Sequence, residues 1–511
     1  MSNQIWARKP VSMFEEDQKN SKLNKVLGKW GLTAMGIGAV IGAGIFVLTG
    51  LAAREYAGPA LAVSFIIAGI GCAFAALCYA EFASLLPVEG SAYAYSYATM
   101  GEFFAWIIGW DLILEYAMAS ASVAVGWSGY LGKFLALFNI HLPLWLMHDH
   151  ATVTRILNEA TSKGVIGDLS NQYSSIDVPS FMGFNIAFNL PAFFIIMIVT
   201  AILVKGIKEA ANTNLIMVAV KVAVILFVII VGSFFIDTNN WVPFIPERYI
   251  DASGHGHYGW MGVLSGAAYV FFAYIGFDAV STQAGEAKNP QKSVPFGIIV
   301  SLIVCTILYI LVALVLTGMI SYKEIDLEAP LSAVFASYNL GFAVFIISIA
   351  AIAGLTSVLL VMLLGQSRVF YAMSRDGLLP KSTFGELHNK FKTPYKATIL
   401  TGVVVAFISA LTPIEDIAKL VNIGTLLAFI LVCIAVWIMR VKEPDRPRPF
   451  KTPYLPVVAT LGILSNLAMM LSLELVNWLR LVAWLAIGCI IYFAYSKRHS
   501  LLGKRLKENK L

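Results

Sequence analysis

The sequence predicts an all-α polytopic membrane protein with twelve transmembrane helices. Three observations carry that expectation. Of 511 residues, 59% are hydrophobic and only 13% are charged, against about 25% charged in a soluble domain. The mean hydropathy is +0.78. Apolar stretches long enough to cross a bilayer recur along nearly the whole chain. A soluble protein this large must cover its surface with polar side chains, which this one lacks. A soluble enzyme, a disordered chain and a disulfide scaffold are excluded.

The apolar segments fall at about 31–52, 59–84, 101–128, 188–204, 212–235, 260–284, 294–319, 340–365, 396–412, 417–439, 454–475 and 477–495. No charge lies between Lys292 and Lys323, or between Glu328 and Arg368. The last two segments are split only around Asn477 and Arg480. The short apolar stretch Ala329–Tyr338 reads as a re-entrant or surface helix. The first 30 residues are polar and lack the apolar core of a cleaved signal peptide, so the first span is expected to be retained. Cys72, Cys78, Cys305, Cys433 and Cys489 lie in apolar runs without zinc-like spacing and read as packing residues.

Basic residues set the orientation. With the N-terminus cytoplasmic, 27 of the 36 Lys/Arg fall on the inner side, eight fall outside or at the outer edge, and Lys221 lies within a span. That imbalance predicts a multi-pass protein of the cell membrane with both termini cytoplasmic. The basic tails face anionic inner-leaflet lipids. Two long outer loops run from about 137 to 185 and from 237 to 258. Their pairs His148/His150 and His255/His257 lack converging carboxylates or thiolates, and read as solvated loop rather than a metal site.

Familiar chemistry is missing. There is no GxxxxGK[ST] loop, no TVGYG-like filter and no HExxH, which argues against a P-loop ATPase, a potassium channel and an intramembrane metalloenzyme. The glycine-rich run GIGAVIGAGIF at 36–46 has the wrong spacing for a dinucleotide loop and no strand before it. Nothing indicates an enzyme, a cofactor or a nucleic-acid partner.

Two segments read as interrupted helices. Gly38 and Gly42 suit close helix packing. Gly42-Ala43-Gly44 goes further, because two glycines flank one small residue in mid-membrane, where bare backbone can unwind. The sixth segment reads FFAYIGFDAVS at 271–281, with Gly276 in mid-span and Asp278 beside it. Their starts are five helices apart, and an odd repeat reverses orientation. Segments 1–5 (31–235) and 6–10 (260–439) are therefore expected to be inverted repeats, with residues 454–495 forming two added helices, 1–30 the inner N-tail and 496–511 the inner C-tail. Glycine-broken helices in corresponding positions point to a transporter site. Unwinding frees N–H groups at one half-helix start and carbonyls at the other half-helix end. A zwitterion matches both: its carboxylate meets amides near Gly42–Gly44, and its ammonium meets carbonyls near Val40 and at 272–275.

GIGAVIGAGIF, CYAEFASLLPVEGSAYAYSY at 78–97, GEFFAWIIGWDLILEY at 101–116, and FFAYIGFDAVS followed by GEAKNPQKSVP at 285–295 resemble the amino acid–polyamine–organocation superfamily. The likeness is greatest to the bacterial type of its cationic amino acid transporter branch and covers about residues 25–440. It implies the LeuT-type fold with helices 1 and 6 interrupted, and amino acid transport by alternating access, frequently proton-coupled. By motif it implies that Ala43 and Gly44 bind the carboxylate and that carbonyls of Val40, Phe272, Ala273 and Ile275 bind the ammonium, with Phe272 as an aromatic gate. Animal members typically have fourteen spans, and similar bacterial members often carry neutral substrates, so the charge of the substrate stays open.

Lys221 lies about 10 Å beyond Asn214 along the fifth segment, where a lysine costs about 2.5–3.5 kcal/mol to insert. Burial disfavours the charged form of an amine, so such a group can exchange its proton during transport. In similar proton-coupled transporters a lysine stands where sodium-coupled relatives bind sodium, and the resemblance makes Thr356 and Ser357 its hydroxyl partners. Asp111 and Glu115, four residues apart, share one helix face. Glu115 is the deeper, and is a candidate to attract a basic side chain or relay a proton. Glu81, Asp278 and Glu286 are expected near inner helix ends, paired with bases such as Lys288. The expected protein is a proton-coupled amino acid symporter, with an exchanger and a non-transporting sensor as alternatives. Its partners are an amino acid and membrane lipids, and the proton is its coupling ion.

Overall fold

The computed structural model describes residues 4–10, 13–14, 27–86, 91–163, 169, 172–181, 184–205, 210–250, 256–282, 284, 287–391 and 393–508. Glu286 and His255 lie outside them. In chain order the principal helices are α1 (Lys29–Val40), α2 (Leu61–Leu85), α3 (Ser91–Thr99), α4 (Glu102–Ala136), α5 (His150–Lys163), α6 (Leu190–Lys205), α7 (Ala210–Ser233), α8 (Gly259–Val270), α9 (Pro290–Met319), α10 (Pro330–Ser337), α11 (Gly341–Arg375), α12 (Tyr395–Leu411), α13 (Ile414–Lys442), α14 (Leu455–Leu471), α15 (Leu475–Ile491) and α16 (Leu501–Lys507).

Each of the twelve apolar segments holds helix. Among the described residues, eight helices are long and apolar enough to cross a membrane, and α6, α12 and α14 are shorter apolar helices. α4 packs along α11 and α13, α9 along α1 and α2, and α6 against α12. Most buried faces form one core, with a small separate cluster of Leu144, Val153 and Ala187, while residues such as Ile198, Leu226, Ile303, Val404 and Leu479 point outward, as lipid-facing positions do.

Both glycine-marked segments break. α1 ends where Ile41 turns extended, and helix resumes as a π turn at Gly44–Leu48. It continues through Thr49–Ala52 and a second π turn, Ala53–Ala57, so the segment runs past its expected outer edge. The sixth segment leaves α8 through a 3₁₀ turn at Phe271–Tyr274, and Gly276 then adopts φ +113° before helix returns at Ala279–Thr282. Only glycine tolerates that backbone cheaply.

The long outer loop is held down. His148 is buried, with Nε2 3.0 Å from the Tyr173 hydroxyl and 3.4 Å from a Glu328 carboxylate oxygen. Its expected solvated placement is therefore corrected: a loop that caps the bundle buries the face it sits on. Arg54 reaches Glu159 on α5 at 2.8 Å, and Lys133 reaches Asp326 at 2.8 Å. Ala329–Tyr338 forms the short α10, buried on one side.

The two breaks touch. A Cβ on Gly44 would stand 2.2 Å from the Ala273 Cα, and one on Gly276 would stand 3.0 Å from the Ala39 backbone. At Gly42 the nearest obstacle is a Val358 methyl at 3.3 Å. Gly44→Ala forces two backbones apart, and overpacking of this kind costs about 1–3 kcal/mol or more. Gly42→Ala needs only a side-chain adjustment. In detergent, Gly44→Ala is expected to lower the melting temperature clearly more than Gly42→Ala; equal melting temperatures would contradict the packing described.

Candidate functional site

A helix that ends inside a membrane leaves carbonyls without intrahelical donors. At the end of α1 those carbonyls find one amine. Lys221 on α7 donates from Nζ to Gly38 O at 2.9 Å and Ile41 O at 3.3 Å. Its side chain is fully buried, and its stem lies against Gly354 of α11. At the end of α8 the donor is an amide. Asn422 on α13 donates from Nδ2 to Ala268 O at 2.8 Å and Tyr269 O at 3.0 Å. The fifth and tenth apolar segments thus cap the first and sixth.

A third group joins the breaks. The Tyr309 hydroxyl on α9 lies 2.9 Å from both Val40 O and Ala273 O. These are two of the carbonyls assigned to a substrate ammonium. One hydroxyl proton spans the gap between the broken helices.

The other expected site residues gather around the same point. Ala43 and Gly44 open the second half-helix, where N–H groups lack intrahelical acceptors. Phe272 and Ile275 are buried in the sixth break, and the Phe272 carbonyl accepts from Ile275 N at 3.1 Å. Thr356 does not pair with Lys221. Its hydroxyl donates to Ile352 O at 2.8 Å and accepts from Trp127 Nε1 at 3.0 Å, so the ordinary back-bond of a helical threonine holds it. Ser357 is buried one residue further along α11.

Glu115 is buried, with Asp278 and Asp111 as its acidic neighbours. Glu115 Oε1, Asp111 Oδ1 and Asp278 Oδ1 have no hydrogen-bond partner among the described residues. Asp278 is therefore not part of an end-of-helix ion pair. The turn at Gly276 folds it into the interior, and a buried carboxylate tier results. Glu81 does meet bases: Arg440 and Arg448 converge on it, the latter at 3.2 Å, and Thr452 N donates to it at 2.8 Å. Glu474 pairs with Lys419 at 3.0 Å, and Lys419 also reaches Glu415 at 3.0 Å.

Sequence reasoning missed Tyr309 and Asn422. Each is a polar side chain within an apolar helix, the same signal that exposed Lys221, but neither carries a charge.

The family model described as amino acid permease matches residues 27–495. Over 99% of the chain and all of the relative, the sequence is 45% identical to the branched-chain amino acid permease BcaP of Bacillus subtilis (strain 168). It is 44% identical to the methylthioribose transporter of the same organism, over 98% of the chain and 99% of the relative. It is 37% identical to the vacuolar cationic amino acid transporter 4 of Arabidopsis thaliana, over 87% of the chain and 68% of the relative. The broken-helix bundle is that of a membrane transporter, not an enzyme. The chain belongs to the amino acid permease family of the amino acid–polyamine–organocation superfamily.

Glu81 is 1% exposed and serves two arginines. Glu81→Gln strands their charge, and breaking a buried pair costs about 3–5 kcal/mol. A large drop in melting temperature is expected, with the purified variant poorly monodisperse. An unchanged melting curve would mean the cluster holds nothing together.

Proposed function

We propose that this protein is a proton-coupled amino acid symporter of LeuT-type architecture, working by alternating access in the cell membrane with both termini cytoplasmic. One observation carries the reading: the Lys221 amine holds the end of α1 through Gly38 O and Ile41 O. A protonated amine stabilises that negative helix end. Losing the proton weakens the bond and frees the inner half of the first segment to move. The same break supplies the substrate ligands, so proton and substrate act on one movable element. The 27-to-8 division of basic residues supports the orientation.

In this reading the substrate carboxylate lies against the N–H groups of Ala43 and Gly44, with Gly42 giving room. The ammonium takes the carbonyls of Val40, Phe272, Ala273 and Ile275. Tyr309 occupies two of them, Val40 O and Ala273 O, until substrate arrives. Thr356 and Ser357 follow Gly354, the residue of α11 against the lysine stem, and the Thr356 hydroxyl is taken by Ile352 O and Trp127. A neutral, branched-chain substrate is favoured by the similarity to BcaP across the whole chain. A cationic substrate is the second reading, favoured by the tier of Asp111, Glu115 and Asp278, where a positive charge offsets like-charge repulsion. Uptake competition by leucine, arginine and methylthioribose separates these from a thiosugar carrier.

Lys221→Met reconstituted in liposomes is expected to lose accumulation driven by an inward proton gradient while keeping exchange between preloaded and external substrate. Undiminished gradient-driven accumulation would sink the proton-site assignment. An exchanger would need internal substrate even in the unaltered protein. Tyr309→Phe leaves two carbonyls without a donor, which costs about 1–3 kcal/mol. Substrate is expected to raise the melting temperature of this variant more than that of the parent, because the ammonium restores the missing donor. Equal stabilisation would place the ammonium elsewhere.

A further inference from the structure

α14 and α15 are joined by a tight turn, yet they part along their length. At the turn Asn477 N donates to Glu474 O at 3.0 Å and Trp478 Nε1 to Met470 O at 3.1 Å. From there α15 runs to α4. Trp484 and Trp110 each donate an indole N–H to the other's carbonyl, at 3.1 and 2.9 Å, and a Cβ on Gly488 would stand 2.5 Å from the Trp110 ring. α14 runs to α2 and α13 instead. A Cβ on Gly462 would stand 2.9 Å from Cys433 Sγ and 3.2 Å from Phe74 Cβ. The stretch leading into α14 is tied to the end of α13, where Arg440 donates to Thr452 O at 3.3 and 3.2 Å. The two helices therefore splay, and one face of the last turns of α13 is left uncovered beside α14.

A groove of about 440 Å³ lies on that face, lined by Ile434, Trp437, Ile438 and Val441 of α13 and by Ile463 of α14, with Lys442 at its end. The four apolar residues of α13 recur at i, i+3, i+4 and i+7, so they form one stripe. Ile434 and Lys442 are about 12 Å apart along the helix, against ~15 Å for the hydrocarbon of one leaflet. The groove is thus about as deep as an acyl chain and ends at a cation.

That end lies on the face of the bundle that carries both termini. Arg440 meets Glu81 in the last turns of α2, and α4 begins on the same side, where Glu102 N donates to Ala7 O at 2.9 Å. From Arg440 to Lys451 the chain carries five bases and two acids, Glu443 and Asp445. Glu81 adds a third acid, which is taken by Arg440 and Arg448, and Glu443 takes Arg446 at 2.8 Å. Lys442 is exposed and has no ion-pair or hydrogen-bond partner among the described residues. The mouth of the groove therefore keeps a surplus of positive charge, and Lys442 is available to carry it.

We propose that this groove binds an anionic phospholipid, with one acyl chain along Ile434–Val441 and the phosphate at Lys442. The apolar stripe accepts any acyl chain, so the charge at its end decides which headgroup is kept. A zwitterionic headgroup brings its own cation to the same place and forfeits the attraction. The bound lipid fills the gap beside α14. The site stands apart from the central breaks and does not depend on the transport mechanism proposed for them.

The test uses the full chain in lipid nanodiscs, with phosphatidylglycerol and phosphatidylcholine analogues that carry the same photoactivatable acyl chain, and peptide mapping of the labelled sites. Labelling by the phosphatidylglycerol analogue is expected to concentrate on Ile434–Lys442 and around Ile463. To halve it, about fivefold more unlabelled phosphatidylcholine than phosphatidylglycerol is expected to be needed, the factor one base near the membrane surface supplies. Lys442→Gln is expected to keep the labelling and lose the preference. Ile463→Trp, which fills the groove, is expected to lose the labelling with both analogues. If Ile463→Trp does not fold, Lys442→Gln decides alone, since it alters an exposed side chain. Equal competition by the two lipids in the parent, labelling spread evenly over all lipid-facing helices, or a preference that survives Lys442→Gln would overturn the proposal and leave annular lipid only. Binding is read without transport, so its failure is separate from any failure of the symport reading.

Discussion

A backbone carbonyl that ends a helix inside a membrane has to find a donor. The arrangement around the two breaks follows from that demand. α1 and α8 both stop in mid-protein, each with carbonyls pointing out of a negative helix end. Lys221 serves the first and Asn422 serves the second. The two donors come from the fifth and tenth apolar segments and do the same job with different chemistry. An amide carries no ionisable proton and an amine does, so of the two donors only Lys221 can carry a charge.

Close approach makes the two breaks a single unit. Gly44 lies on Ala273 and Gly276 lies on Ala39, so motion of one segment is felt by the other. Tyr309 bridges Val40 O and Ala273 O at the meeting point. The tier of Asp111, Glu115 and Asp278 adds three buried carboxyl groups within the same core. At the termini face, Glu81 gathers Arg440 and Arg448, and Asp376 gathers Lys9 and Tyr93, so that face is closed by ion pairs.

What could be read from the sequence was whatever local chain chemistry dictates. Gly42-Ala43-Gly44 and Gly276 marked both breaks, because glycine in mid-span announces bare backbone. Lys221 stood out because a lone cation in an apolar helix has few explanations. The first segment ran longer than its hydropathy suggested, since two π turns carry it to Ala57. Partners were harder. Tyr309 and Val40 are 269 residues apart, and Asn422 and Ala268 are 154 apart. No local pattern links such pairs, and uncharged polar residues in apolar helices are common enough to pass unnoticed. Thr356 was expected beside the lysine by family resemblance, yet Ile352 and Trp127 occupy its hydroxyl, and the lysine stem meets Gly354 instead. From the sequence, Asp278 reads as a residue near an inner helix end. The turn at Gly276 places it in the interior instead.

The central claim is that the charge on Lys221 sets the position of the first half-helix. Spin labels at Trp30, on the exposed start of α1, and at Phe391, in the loop before α12, report that position as a distance between them. Pulsed dipolar spectroscopy in liposomes, with the native cysteines replaced, measures it as a function of pH. The account predicts a distance distribution that shifts as pH rises in the otherwise unaltered protein and stays fixed in Lys221→Met. A shift of equal size in both would contradict it.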